Sequence, residues 1–182
     1  MRTIRMLTPL FALSLALITP VSVGATTNNN ESATYQLHLE IPNIAQSADG
    51  DQVTVTGEGV FSLHPKAFTA EGAFTFTDDG TTISGTWTAD ELLAFQPYGC
   101  GIVMGTPIPP NFCGGFVLGR ITLTSSTGAT MDGTLRVVCI IGKVPGQYFV
   151  SKNATEGINL DIPGVENFNH QVTGDNVFIR TA

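Results

Sequence analysis

Residues 57–89 read GEGVFSLHPKAFTAEGAFTFTDDGTTISGTWTA, and the spacing inside this stretch decides the fold. Gly59, Gly72 and Gly85 are thirteen residues apart. Folding the chain about the midpoint of the first pair puts a turn between Pro65 and Lys66. Folding it about the second midpoint puts a turn between Asp78 and Asp79. Both places carry turn residues, His64-Pro65-Lys66-Ala67 and Thr77-Asp78-Asp79-Gly80. The spacing therefore predicts three antiparallel strands with the glycines in one cross-strand row.

The faces agree with that arrangement. Val53, Val55, Gly57, Gly59, Phe61 and Leu63 share one side of the first strand. Phe68, Ala70, Gly72, Phe74 and Phe76 share the same side of the second, and Ile83, Gly85, Trp87 and Ala89 that of the third. The opposite side is mostly threonine, serine and acid, with Val60 and Ala73 as exceptions. Side chains alternate with period two along a strand, so a slip of one residue would invert this pattern. Large rings lying across glycines would fill the volume that the missing side chains leave.

The pattern extends outward in both directions. Tyr35, Leu37, Leu39 and Ile41 alternate with polar neighbours, and Ala48-Asp49-Gly50-Asp51 reads as a turn. Gly119 and Gly133 are symmetric about Ser126, which extends the glycine row to Gly59, Gly72, Gly85, Gly119 and Gly133. Glycine inside a strand costs roughly 0.5–1 kcal/mol against alanine, so such a row suits sharply coiled strands. Ile158, Leu160 and Ile162 alternate again, and Thr173-Gly174-Asp175-Asn176 reads as a last turn. No segment of ordinary helix length has a 3.6-residue period; Asp90 to Phe95 would make one turn at most. The expected fold is an all-β antiparallel meander of about eight strands closing into a barrel, with a two-sheet sandwich as the alternative.

The first 25 residues read as a cleaved signal peptide. Arg2 and Arg5 precede the apolar run Leu10 to Ile18, and Val23-Gly24-Ala25 offers a small-residue cleavage site. Residues 26–32 read as a disordered leader and 33–182 as one barrel-like domain. The expected location is extracellular or periplasmic. Removing Arg2 and Arg5 from eight basic residues leaves six against fifteen acidic, a net charge of about −9. With no basic stripe, this excludes nucleic acid as a partner. No further apolar segment reaches membrane-spanning length.

Two irregular stretches, Gln96 to Gly115 and Gly142 to Glu156, read as long loops. Three cysteines in an oxidising compartment predict one disulfide and one free thiol. Cys100–Cys113 would clamp the first loop. Cys113–Cys139 is the alternative, because folding about Ser126 sets those two opposite each other. Asn30 and Asn153 head glycosylation sequons.

Chemistry-bearing motifs are sparse. His38, His64 and His170 lack metal-ligand spacing, so no metal site and no cofactor is expected. No nucleophile elbow occurs. Glu58 and Glu71 form a carboxylate pair on neighbouring strands, with ordinary exposed acids as the plainer reading. Asp49-Gly50-Asp51 has too few ligands for a calcium loop. The remaining candidate is the apolar face, where Val55, Phe61, Phe68, Phe74, Phe76, Ile83 and Trp87 would hold a small apolar molecule. Side chains filling the interior would give an ordinary core instead.

Gly57-Glu58-Gly59-Val60-Phe61, Ala70-Glu71-Gly72-Ala73-Phe74 and Ser84-Gly85-Thr86-Trp87-Thr88-Ala89, continuing to Tyr98-Gly99, resemble a pattern found in small secreted proteins of unknown function. The glycine-and-phenylalanine strands also resemble those of dirigent and allene oxide cyclase barrels. That resemblance implies an eight-stranded barrel with an apolar cavity, and it brings no catalytic residue to any position here. The first functional expectation is a secreted, non-enzymatic module that binds a ligand or associates with a surface. An isomerase or cyclase using the cavity is one alternative. A structural or adhesive extracellular domain with threonine-rich outer faces is another.

Overall fold

The computed structural model describes residues 32–78, 80–142 and 156–181. The expected signal peptide, nearly all of the expected leader, both sequon asparagines and most of the second irregular stretch lie outside them. The described chain is all-β and antiparallel. Its strands are β1 (Thr34–Leu39), β2 (Asn43–Gln46), β3 (Gln52–Leu63), β4 (Lys66–Asp78), β5 (Thr81–Cys100), β6 (Ile102–Val103), β7 (Thr106–Pro107), β8 (Phe112–Ser125), β9 (Thr130–Cys139), β10 (Gly157–Ile162), β11 (Glu166–Phe168), β12 (His170–Thr173) and β13 (Asn176–Arg180). The count exceeds the expected eight because short pieces such as β6, β7 and β11 carry no legible alternation of their own. No helix among the described residues is long and apolar enough to cross a membrane.

Hydrogen-bonded neighbours form a closed circuit of six strands: β1, β3, β4, β5, β8, β13 and back to β1. β9, β10 and β11 continue outward from β8, and β2 and β12 from β3. Phe61, Phe68, Trp87, Phe178, Leu37 and Ile121 are almost wholly buried in one continuous core.

The three predicted hairpins exist, but each is displaced from the expected glycine pairs. Gly57 faces Gly72, and Gly59 faces Ala70. Gly72 faces Trp87, Phe74 faces Gly85, and Gly119 faces Leu135. Each displacement is two residues, so every side chain keeps its predicted face. The cause is room for rings. An added Cβ at Gly72 would stand 2.6 Å from Trp87 Nε1, and one at Gly85 would stand 2.8 Å from Phe74 Cε1. Gly119 is covered by Phe68 in the same way. Where Gly57 faces Gly72, the Trp87 indole lies over both, since an added Cβ at Gly57 would stand 2.6 Å from Trp87 Cζ2. The expected row therefore corrects to staggered glycines, each of these three under an aromatic side chain.

The stretch from Asp90 to Cys100, expected as a helical turn followed by a loop, is strand. Its ladder with β8 slips between Ala89 and Glu91, between Leu92 and Ala94, and between Pro97 and Gly99. Each slip inserts an extra residue and bends the strand. Ala89, Leu92 and Phe95 consequently face the inward residues Ile121, Gly119 and Val117, with a spacing of three instead of two.

Candidate functional site

At the Cys100 end of β5, an open cleft of about 850 Å³ lies over the core. β1 contributes Tyr35, β3 Leu63, β4 Lys66, β5 Leu92, Phe95 and Tyr98, and β13 Arg180. Its floor is aromatic. Tyr35 stacks on Phe61 at 4.9 Å between centroids, Phe95 lies 4.9 Å from Phe61, and Phe178 meets Phe61 edge-on at 5.5 Å. Such offset and edge contacts are the favourable ones for rings. The volume falls in the range typical of small-ligand sites.

The first slip turns Leu92 inward and the second returns Phe95 to the face of Ala89, so both line the cleft with Tyr35. A disulfide between Cys100 and Cys113 ties β5 to β8 at the rim, with a Cα–Cα distance of 3.9 Å. Of the two pairings weighed from sequence, this is the one present. Gly115, not Cys113, faces Cys139, so Cys139 stays a free, buried thiol that donates to the Cys113 carbonyl at 3.5 Å. Burial pushes its pKa well above the usual thiol range, and the nearby Glu156 charge adds to this.

Six of the seven apolar residues singled out from the sequence belong to the core or pack against it, and Ile83 does not. Val55, Phe61, Phe68, Phe74 and Trp87 are buried, Phe76 is half-buried against Phe168, and Ile83 is 41 % exposed. None of the seven lines the cleft; Phe61 lies directly beneath it. Leu92 and Phe95 fall in the expected helical turn, and Tyr98 in the expected loop. Their three-residue spacing was the signal that a bulged strand would have explained.

Two acidic groups are drawn together elsewhere. Glu58 and Glu71 are direct cross-strand partners on the outer face, and His38 Nδ1 lies 3.6 Å from Glu58 Oε2. Like charges placed so are mildly destabilising, and the 74 % exposure of the Glu58 side chain leaves them screened by water. Asp49, Asp51 and Glu166 can each place one oxygen within 4.8 Å of the others. Three carboxylates supply half or fewer of the oxygens that calcium takes. Ser47 already hydrogen-bonds Asp49.

A buried polar cluster sits where β2, β9, β10 and β13 meet. Asn43 and Asn176 exchange amide hydrogen bonds at 3.0 and 3.1 Å, and Asn176 also donates to the Val138 carbonyl at 3.0 Å. The backbone N–H of Asn176 donates to Glu156 Oε1 at 2.7 Å. Burial pushes the Glu156 carboxyl up to about 7, against the hydrogen bond from Asn176, and the Asp175 charge raises it further. The folded protein thus holds this proton more tightly than the unfolded chain. The stabilisation is complete below the ordinary glutamate range, near pH 4.5, and is lost as pH rises through about 7. Full burial would make this about 3 kcal/mol, and screening at the part-exposed carboxyl reduces it to about 1–2 kcal/mol. Urea titrations at pH 5 and pH 8 should show the wild type losing that much relative to Glu156→Gln. An equal change in both proteins would refute the assignment.

No family model matches the chain, and neither a curated protein nor a solved structure shows significant similarity to it. Function is therefore argued from the site itself.

Proposed function

We propose that this protein is a secreted, non-catalytic binding module whose six-strand circuit closes as a small barrel. The ligand sits at the barrel's rim, in the cleft between Tyr35, Phe95 and Tyr98, and not within the interior. One observation carries this reading: aromatic floor and open volume coincide there, whereas Val55, Phe61, Phe68, Phe74, Phe76 and Trp87 pack within the core. The aromatic floor favours a ligand with a flat or apolar body. The signal-peptide pattern and the Cys100–Cys113 bond support an oxidising destination.

The neutral fluorophore Nile red tests this directly. The wild type should bind it with a rise and blue shift of emission. Tyr98→Ala, in a half-buried rim position, should weaken that binding about fivefold while leaving the circular dichroism spectrum unchanged. Absence of binding, or equal binding by a folded Tyr98→Ala protein, would overturn the proposal.

A further inference from the structure

The charges around the rim cleft are at odds with those of the chain. The protein carries fifteen acidic residues against eight basic ones. Lys66, Arg120, Arg136 and Arg180 are the lysines and arginines of the described residues. Arg120 is paired with Glu91 at 2.8 Å, and Arg136 lies 4.8 Å from the Phe116 ring centroid. Lys66 and Arg180 both line the cleft, together with His64. Among the described residues, no aspartate or glutamate lines it. Two of the four described lysines and arginines of this acidic protein thus lie at the cleft with the aromatic floor.

Lys66 is also positioned. It is the first residue of β4, directly opposite Leu63 across the turn. Its Nζ donates to the Leu93 carbonyl of β5 at 2.6 Å, which holds the ammonium at the rim. An ammonium has three donors, so this bond leaves others for a ligand. Among the described residues, no carboxylate forms an ion pair with Lys66. A cation fixed by a neutral carbonyl keeps its charge available, whereas one held by a carboxylate would not.

We propose that the cleft takes an amphipathic anion: a compact aromatic or apolar body seated on Tyr35, Phe95 and Tyr98, with a carboxylate-like group at Lys66. This rests on the binding reading above and specifies the ligand's charge. The ring body supplies burial and the rim charge selects the head group. Long-range attraction to anions is weak for a chain of this net charge, so the selectivity arises at close contact and falls as salt rises.

The test compares 2-naphthoate with its neutral analogue 2-naphthamide by titration calorimetry of the full mature protein at pH 7. Naphthoate should bind about tenfold more tightly, and this preference should shrink between 20 mM and 500 mM sodium chloride. In Lys66→Gln the preference should fall below about twofold, whereas Arg136→Gln, on the outer surface, should retain it. Equal affinity of the wild type for both compounds overturns the anion inference. If Nile red still binds in that case, the rim-cleft reading stands; if it does not, both fall. Because the wild-type comparison needs no variant, a poorly folded Lys66→Gln protein cannot rescue the proposal.

Discussion

Gly72→Ala should destabilise this protein by about 3 kcal/mol, a large share of the stability that a domain of this size has. Gly72 lies against Gly57 on β3 and Trp87 on β5. The new methyl would stand 2.6 Å from the indole nitrogen and 2.7 Å from the Gly57 Cα, and closer still to the Thr56 carbonyl. Two of these neighbours are backbone held in a ladder, and Trp87 is only 1 % exposed, so nothing nearby can yield cheaply. Overpacking of this kind costs about 1–3 kcal/mol. Displacing the ring would also break the hydrogen bond from Trp87 Nε1 to the Thr56 carbonyl at 2.9 Å, worth about 1 kcal/mol. Thermal melts should show a fall of about 6–12 °C. A change of less than about 1 kcal/mol would mean that the ring does not lie across this glycine.

The second large effect belongs to Asn176→Leu, expected to cost about 3 kcal/mol. Asn43 and Asn176 are fully buried, and each supplies the other's amide partner. Removing the Asn176 amide takes from Asn43 Oδ1 its donor, leaves Asn43 Nδ2 only the Ile41 carbonyl, and leaves the Val138 carbonyl without this donor. A buried polar group deprived of its partner costs about 1–3 kcal/mol, whereas removal of both partners costs far less. The double variant Asn43→Leu/Asn176→Leu should therefore be at least about 1 kcal/mol more stable than the sum of the single changes predicts. Denaturant unfolding measures all three proteins; strict additivity would show that the two amides do not depend on each other.

Sequence pattern carried the all-β class, the hairpins at His64-Pro65 and Ser125 to Gly128, and the inward face of β3, β4 and β5. It did so because period-two alternation is a local property that tolerates a two-residue error. The register itself was not legible from glycine spacing. Symmetry suggests which glycines pair, but packing sets rings such as Trp87 over them, and only three-dimensional contact reveals which ring reaches which gap. The strand from Asp90 to Cys100 was missed for a related reason. Three ladder slips replaced the two-residue rhythm with a three-residue one, which resembles a helical turn. The cleft depends on that strand, of whose aromatic members Phe95 fell in the expected helical turn and Tyr98 in the expected loop. Lys66 and Arg180 lie 114 positions apart in sequence, on strands β4 and β13, and no local motif could have joined them. Glu166 joining Asp49 and Asp51 is another such case.

The Cys100–Cys113 bond also changes what the chain between them can become. Both cysteines face each other across the β5–β8 ladder, and the little β6–β7 hairpin hangs outside it with Met104 76 % exposed at its tip. Residues 101–112 thus form a covalently closed appendix whose two roots are fixed whatever its length. Lengthening a loop with fixed ends costs only a few tenths of a kcal/mol per added residue or less. This hairpin is the place where the chain can accept new sequence, or be cut and still remain one molecule, without disturbing the strands that carry the cleft.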